Sequence, residues 1–245
     1  MSRQHAVSIA IYKRHLRLYR YLNDAWIFSE QMLPGLKERA QTLRGSKSKA
    51  KKPYKTPKKD GWVTNKRRDF EIGDIYMAQA TRGIFENNIV FAVSRVEAFV
   101  EECMTIAIKD QPKKLVILAD KNGVPLDIVL EHEDRDDILD RYIAMRCEGL
   151  MFGKPTDYMK KVGEVLSIEL DPDFVADYVE IKASRDIIVH NLGEINSVYE
   201  EKAGAKKRGN VGDELTIDRS YFKHVVVTAK LLSGAIQRDV EAKYG

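Results

Sequence analysis

The chain has 245 residues, of which 44% are hydrophobic and 32% are charged, and its formal net charge is +4 at pH 7. This composition is ordinary for a soluble globular protein. There is no run of about 18 uncharged apolar residues and no apolar leader segment, so we expect neither a membrane span nor a signal peptide.

The cysteines give little support for a metal or disulfide site. Cys103 and Cys147 lie far apart, and no C-x-x-C pair is present, which excludes a zinc ribbon and a thioredoxin-type site. The acidic run around His132 is interpreted as a solvated helix start, with metal binding as the alternative. Two thiols without a disulfide framework fit a reducing compartment, so we expect a cytoplasmic protein. The sequence offers no convincing metal cluster, so we expect no bound metal or cofactor.

The first predicted element is an amphipathic helix over residues 6–32. Its apolar residues recur at spacings of three and four, as in Ile9, Tyr12, Leu16, Tyr19, Leu22 and Trp26. Pro34 and Gly35 predict the end of this helix, and a short helical piece is expected to reach about Leu43. We therefore assign residues 1–43 to an N-terminal helical extension.

The next segment, residues 44–69, holds the basic charge of the protein. It carries 11 basic and two acidic side chains, a local charge of +9, so the remainder of the chain is net acidic. Without periodicity and rich in Lys, Pro, Ser and Gly, it is interpreted as a flexible basic linker over 44–70. The alternative is an electrostatic arm for nucleic acid, with Tyr54 and Trp62 available to stack on bases. The cations expected to contact phosphates are Lys51, Lys52, Lys55, Lys58, Lys59, Lys66, Arg67 and Arg68.

Residues 71–245 are predicted to form one helical domain. Apolar spacing predicts a long core helix over 73–109, bent near Gly83. Two short runs rich in Val, Ile and Leu flank an Asp-Lys-Asn-Gly turn and predict a β-hairpin inserted at about 114–131. Further helices are predicted over about 131–149, 155–168, 172–191 and 218–243. The expected fold is mostly α, an antiparallel helical bundle with an inserted β-hairpin and a basic flexible linker.

One segment combines a phosphate-binding cation with a proton-transfer group. Arg185 and His190 lie five positions apart near the predicted end of the 172–191 helix. A guanidinium that holds a phosphate beside an imidazole that moves a proton near pH 7 suits metal-free cleavage of a phosphodiester. Arg185 also falls on the apolar stripe of this helix, where a cation needs a partner. The structural alternative is therefore a salt bridge to an inward acid such as Glu97 or Asp177.

The spacing of this pair constrains how it can act. Five residues of ideal helix place two side chains about 140° apart, so Arg185 and His190 cannot converge on one atom from a straight helix. Either the helix breaks between them or a second chain supplies the missing partner, which predicts a homodimer with a composite cleft. Arg219 and His224 repeat the spacing at the start of the last helix, and we interpret that pair as coincidence.

The segment from Lys154 to Tyr199 resembles the HEPN superfamily (higher eukaryotes and prokaryotes nucleotide-binding), whose members are helical bundles. Many of them carry an Arg-(polar)-x3-His motif near a helix end. The matching positions in this chain are Arg185, Asp186 and His190, followed by Asn191, Gly193 and Asn196 as in some branches. The stretch 94–99 also resembles an earlier bundle helix of such proteins.

This resemblance implies a metal-independent ribonuclease that works as a dimer, as a toxin or antiviral defence effector. Arg185 and His190 would be catalytic, and Asp186, Asn191 and Glu97 would support them. The implied partners are RNA and a protein inhibitor or regulator. Because the family includes members that bind without cutting, the alternative is a non-catalytic dimeric module for nucleic acid or a protein partner. A DNA-binding protein that uses the basic segment is a third interpretation, although no helix-turn-helix signature favours it.

Overall fold

Helices form most of the chain, and two strands form a small sheet. The computed structural model describes residues 3–118, 123, 125–131, 134–151 and 153–244, so His132 lies outside the described residues. The strands are β1 (Lys52–Lys58) and β2 (Gly61–Arg67). The helices are α1 (Arg3–Arg44), α2 (Asp69–Ala78), α3 (Ile84–Asp110), α4 (Leu115–Leu118), α5 (Leu126–Glu131), α6 (Arg135–Met151), α7 (Pro155–Leu166), α8 (Pro172–His190), α9 (Ser197–Ala203) and α10 (Arg219–Tyr244).

Helix α1 continues through Pro34, which corrects the predicted helix end. A proline inside a helix removes one backbone hydrogen bond, so the continuation needs support from packing. Helix α2 supplies it: Ala40 and Leu43 are buried, and a Cβ added at Gly73 would lie 3.0 Å from the carbonyl oxygen of Ala40. This close approach of the two backbones holds the C-terminal half of α1 in helical form.

The same helix belongs to the central core. Helix α1 packs against α3 and α10 as well as α2. Its buried residues Ile11, Leu18 and Leu22 join the cluster that also contains Ile89 of α3 and Phe222 of α10. The N-terminal segment therefore supports the helices that carry the candidate site.

The β-hairpin lies in the basic segment, where a flexible linker was predicted. Strands β1 and β2 pair antiparallel from Lys52↔Arg67 to Lys58↔Gly61, and Gly61 has a φ of +112°. The sequence signal was Asp60-Gly61 between residues of alternating character, a hairpin pattern that the high lysine content obscured.

The hairpin predicted at about 114–131 is wrong, because its two apolar runs form the short helices α4 and α5. Short apolar runs do not distinguish strand from helix by periodicity alone. Here Leu118 and Ile128 are buried, with α4 packed on α6 and α7 and α5 packed on α6. Residues 119–122, which hold most of the predicted turn, lie outside the described residues.

Other predicted helices are confirmed. Helices α2 and α3 form one helical run that includes a π-helical turn over Gln79–Gly83, where the sequence predicted a bend. Asp171 caps α8 by accepting a hydrogen bond from the Asp173 backbone N–H at 2.8 Å, and Pro172 occupies its first turn. No helix in the described part of the chain is both long enough and apolar enough to cross a membrane.

Candidate active site at the end of helix α8

A cavity of about 540 Å³ opens beside the C-terminal half of α8. Helices α3, α6 and α9 and the segment after α8 complete its walls. The five predicted site residues outside the basic segment all line this cavity: Glu97, Arg185, Asp186, His190 and Asn191. The structure therefore brings together side chains that are up to 94 positions apart in the sequence.

Glu97 of α3 is the centre of the charged contacts. It is 9% exposed and accepts hydrogen bonds from Arg185 Nη2, at 3.1 Å to Oε1 and 3.0 Å to Oε2. Lys182 Nζ forms a second ion pair with Glu97 Oε1, and Lys182 is only 4% exposed. A buried carboxylate is tolerated when cations and hydrogen bonds replace its water, which these two side chains of α8 do.

Sequence reasoning missed Lys182. It lies three positions before Arg185, a spacing that places two side chains on the same face of a helix. That spacing was the available signal, but the partner that makes it meaningful is Glu97 on another helix. The predicted structural partner of Arg185, Glu97, is thus present, while Asp177 pairs with Lys206 at 2.8 Å.

Asp186 links Arg185 to α9. Its Oδ1 lies 3.1 Å from Arg185 Nη1, and its Oδ2 lies 3.3 Å from Lys202 Nζ. Arg185 is therefore held between two carboxylates, while its Nε is buried without a hydrogen-bond partner in the described structure. Of the two carboxylates, Asp186 is the more exposed, with 26% of its side chain accessible against 12% for Glu97.

His190 is the last residue of α8 and is exposed. Within the described residues its ring has no hydrogen bond or ion pair, so both nitrogens face solvent or a bound molecule. Because α8 is unbroken from Pro172 to His190, the predicted possibility of a helix break between Arg185 and His190 is wrong. The two positions keep the angular separation of an ideal helix, about 140°.

The helix ends in a tight, left-handed turn. The backbone N–H groups of Asn191 and Gly193 both donate to the carbonyl of Ile187 at 2.9 Å. Leu192 has a φ of +52° and Gly193 a φ of +82°, so two successive residues occupy the left-handed region. The Asn191 side chain donates through Nδ2 to the Glu194 carbonyl at 2.6 Å, which fixes this amide within the loop.

Arg82, on the π-helical turn, anchors the loop from the outside. Its Nε pairs with Glu86 at 2.6 Å, and its Nη1 forms an ion pair with Glu214. A Cβ at Gly193 would force the Arg82 guanidinium to shift, and the left-handed backbone of Gly193 also favours glycine at this position. The Gly193 carbonyl also accepts from the Leu215 N–H at 2.8 Å. No sequence signal marked Arg82, because its role depends on two segments that are distant in the chain.

Beneath the cavity, Glu180 is almost completely buried and accepts three hydroxyl hydrogen bonds. The donors are Ser184 at 2.6 Å, Tyr199 at 2.8 Å and Tyr221 at 2.9 Å. Burial, together with the nearby Glu180 carboxylate, raises the pKa of Tyr199 to about 12. Tyr199 also lines the cavity, so this network sets the position of α9 relative to α8.

The formal charges around the cavity balance. Three cations (Lys182, Arg185 and Lys202) face three carboxylates (Glu97, Glu148 and Asp186). The predicted phosphate-binding cations are elsewhere, since none of the eight basic residues of 51–68 lines the cavity. They lie on or beside the hairpin and are exposed, and Lys52 pairs with Asp69 at 2.7 Å.

Trp62 on β2 is 64% exposed and lies opposite Pro57 on β1. Lys55 and Lys66 share its face of the ribbon, because side chains alternate along a strand. The structure therefore places an aromatic ring beside two cations on a surface open to solvent.

The second Arg-x4-His pair lies outside the cavity. Arg219 donates from Nε and Nη2 to the two carboxylate oxygens of Glu30, at 2.7 and 2.8 Å. His224 is exposed and stacks near Tyr221, with 6.1 Å between ring centroids.

Among the described residues, no group of three or more His, Cys, Asp and Glu side chains is arranged to hold a metal ion. Comparisons with protein-family models, curated proteins and solved structures find no match for this chain.

Proposed function

We propose that this chain is a metal-independent RNA endonuclease that acts as a homodimer. The observation that carries the proposal is the open cavity in which Arg185, paired only with carboxylates, and His190, with a free imidazole, are both accessible to one ligand. The resemblance to HEPN ribonucleases points to the same two residues.

The reaction would use the 2′-hydroxyl of the RNA itself. A base removes the 2′ proton as O2′ bonds to phosphorus, and an acid protonates O5′ as the P–O5′ bond breaks. The products are a 2′,3′-cyclic phosphate and a 5′-hydroxyl. His190 is assigned to proton transfer, since imidazole exchanges protons near neutral pH.

Arg185 is assigned to the phosphate. A guanidinium forms paired, charge-assisted hydrogen bonds with phosphate oxygens and stabilises the charge that develops in the transition state. To bind, the phosphate has to replace a carboxylate on Arg185, and Asp186 is the more exposed of the two. Lys182 and Glu97 would then keep the guanidinium in place while Asp186 remains with Lys202.

On the unbroken α8, Arg185 and His190 point about 140° apart, and a homodimer would allow residues of two chains to meet at one ligand. Two copies related by a two-fold axis near the end of α8 would bring two Arg185 and two His190 side chains to one cleft. One imidazole could act as base and the other as acid. Size-exclusion chromatography with light scattering tests this part, with twice the chain mass of 28.0 kDa expected and a concentration-independent monomer contradicting it.

The basic hairpin would hold RNA outside the cavity. Its lysine and arginine side chains would attract the phosphate backbone of the RNA, and Trp62 would offer a surface on which a base can stack. A role as a toxin or antiviral defence effector, restrained by a protein inhibitor or regulator, is part of this proposal and comes from the family resemblance alone.

The second candidate is a non-catalytic dimeric module that binds nucleic acid or a protein partner. The observation that favours it is the balance of charges in the cavity. Arg185 is already paired with Glu97 and Asp186, which leaves no unpaired positive charge on it for a phosphate. In that case His190 is only a helix-end residue, and the hairpin carries the binding.

Cleavage of labelled RNA in EDTA distinguishes the two candidates. We expect cutting by the wild type, a loss of at least 100-fold for His190→Ala and Arg185→Ala, and no change for His224→Ala. His224→Ala is the matched control because it removes an exposed histidine with the same spacing from an arginine. Equal cutting by all four proteins would reveal a contaminant and remove the support for a nuclease. Binding of RNA without cutting, in a dimeric wild-type protein, would favour the non-catalytic module.

A further inference from the structure

A second pocket lies on the opposite side of α3 from Glu97, between α3 and α1. Its volume is about 310 Å³, within the range of small-molecule sites. Three arginines line it: Arg14 and Arg17 from α1, and Arg95 from α3. Glu102 is the single carboxylate in the lining, so the pocket keeps two formal positive charges.

The arginines are only partly neutralised. Arg14 Nε lies 2.5 Å from Glu102, and Arg17 Nη1 lies 3.7 Å from the same carboxylate, so two cations share one anion. Arg95 has no carboxylate partner among the described residues, and its guanidinium carbon lies 5.3 Å above the ring of Tyr21. Planar guanidinium groups that line one pocket without enough counter-charge are suited to a phosphate.

The remaining lining residues, Leu18, Tyr21, Ala98 and Phe99, are apolar or aromatic. Leu18 and Phe99 form its buried floor, each 4% exposed, and Tyr21 contributes a half-buried aromatic ring at one side. A ligand that carries only a phosphate would leave this surface uncovered. A flat ring joined to the phosphate would cover it and could stack on Tyr21 or under Arg95.

We propose that the α1/α3 pocket binds a mononucleotide, with the phosphate held by Arg14, Arg17 and Arg95 and the base against Tyr21 and Phe99. This site is separate from the α8 cavity, and none of the residues lining it lines that cavity. The proposal does not depend on RNA cleavage, so either can fail without the other.

Isothermal titration with 5′-AMP tests the site on the full chain. The wild type is expected to bind, and Arg95→Ala to weaken binding at least tenfold. Arg185→Ala is titrated in parallel, because a loss confined to it would place the 5′-AMP in the α8 cavity. Arg141→Ala is the matched control, because it removes an exposed arginine of α6 that is outside this pocket. Arg95 is exposed, so its variant should keep the wild-type helicity, and Arg95→Lys provides a second variant that retains the charge but loses the planar fork.

Two further titrants resolve which part of the ligand is recognised. Inorganic phosphate and adenosine are each expected to bind at least tenfold more weakly than 5′-AMP. Phosphate that binds as tightly as 5′-AMP would overturn the role of the aromatic floor. The proposal as a whole would be overturned by equal affinity of the wild type and Arg95→Ala, by a loss confined to Arg185→Ala, or by no binding of 5′-AMP at millimolar concentration.

Discussion

The α8 cavity and the basic hairpin use positive charge in opposite ways. Around the cavity, Lys182 and Arg185 are paired with Glu97, and Arg185 and Lys202 are paired with Asp186. On the hairpin, exposed cations stand on a two-stranded ribbon, with Lys52 paired to Asp69. Paired charges hold groups in a fixed geometry, whereas exposed and unpaired charges attract a polyanion over a distance. In the proposed function, the chemistry and the capture of a nucleic acid therefore belong to different parts of this molecule.

The largest effect on stability should come from Glu97→Ala. Its removal leaves the buried Lys182 without its counter-ion and Arg185 with Asp186 alone, which we expect to lower the free energy of unfolding by about 3–5 kcal/mol. Urea unfolding monitored by circular dichroism measures it. Lys55→Ala on the hairpin is the matched charge removal and should change stability by less than about 0.5 kcal/mol. Similar losses for both variants would erase the distinction between the two regions.

The hairpin variant with four lysines replaced should show the next largest effect, on binding instead of stability. We expect Lys55, Lys58, Lys59 and Lys66 changed to Ala to weaken the affinity for single-stranded RNA. The slope of log K against log salt should also become shallower, by about 0.7 for each RNA phosphate that these lysines neutralise in the wild type. Fluorescence anisotropy at several salt concentrations gives both quantities.

The control for that experiment replaces four exposed lysines on the helices, Lys37, Lys113, Lys160 and Lys223. Their removal changes the net charge by the same amount. Most of the affinity for RNA and the slope of log K against log salt should be retained. An equal loss of affinity in both quadruple variants would show that RNA binding depends only on the total charge of the protein.

A smaller effect is expected at alkaline pH, and it reports on the packing beneath the cavity. Burial raises the pKa of Tyr199 to about 12 and the pKa values of Tyr158, Tyr178 and Tyr221 well above their usual range. An unfolded tyrosine titrates near pH 10, so the folded state retains more protons above that pH. Stability is therefore complete below about pH 10 and falls as the pH rises through the folded pKa values.

Urea unfolding at pH 8, 9.5 and 10.5 measures this decline. Tyr199→Phe removes one of the titrating groups, so its stability should fall less steeply with pH than that of the wild type, even if its stability at pH 8 is lower. Identical pH slopes for the two proteins would contradict the assignment of Tyr199 to this group.

The smallest predicted effect is at the turn that ends α8. Leu192 has a left-handed backbone and is 92% exposed, so the folded chain carries strain without a compensating contact. Leu192→Gly should raise the free energy of unfolding by up to about 1 kcal/mol, because glycine adopts this conformation readily. Leu192→Ala keeps the backbone strain, so it should change the free energy of unfolding little. A gain for Leu192→Ala as large as that for Leu192→Gly would show that the leucine side chain, not the backbone, is responsible.

Some of these features could be predicted from the sequence and others could not. The helix from Pro172, its Asp171 cap and the pair Arg185 and His190 near its end are local patterns, and the structure places them as expected. The sequence predicted that α1 would end at Pro34, whereas the helix continues. Its support, the packing of Ala40 against Gly73, is a contact between segments more than 30 residues apart. The same limit applies to Lys182 and Arg82, whose partners lie on other elements.

The hairpin shows a different limit. Its turn signal, Asp60-Gly61, is local and readable, but the surrounding lysines and prolines resemble a disordered linker in composition. At 114–131 the error was reversed, since the two apolar runs on either side of a convincing turn signal form short helices packed on α6 and α7. In both places tertiary packing or cross-strand pairing outweighed the composition of the segment.

The central claim is that Arg185 and His190 cut RNA through its own 2′-hydroxyl. Its most direct test is end-group analysis of one labelled oligonucleotide prepared as RNA, as 2′-O-methyl RNA and as DNA, incubated with the wild type and with His190→Ala in EDTA. The account predicts that the wild type cuts only the RNA and leaves a 2′,3′-cyclic phosphate and a 5′-hydroxyl, and that His190→Ala leaves it intact. Cutting of the 2′-O-methyl strand, products with a 5′-phosphate, or full activity in His190→Ala would contradict it.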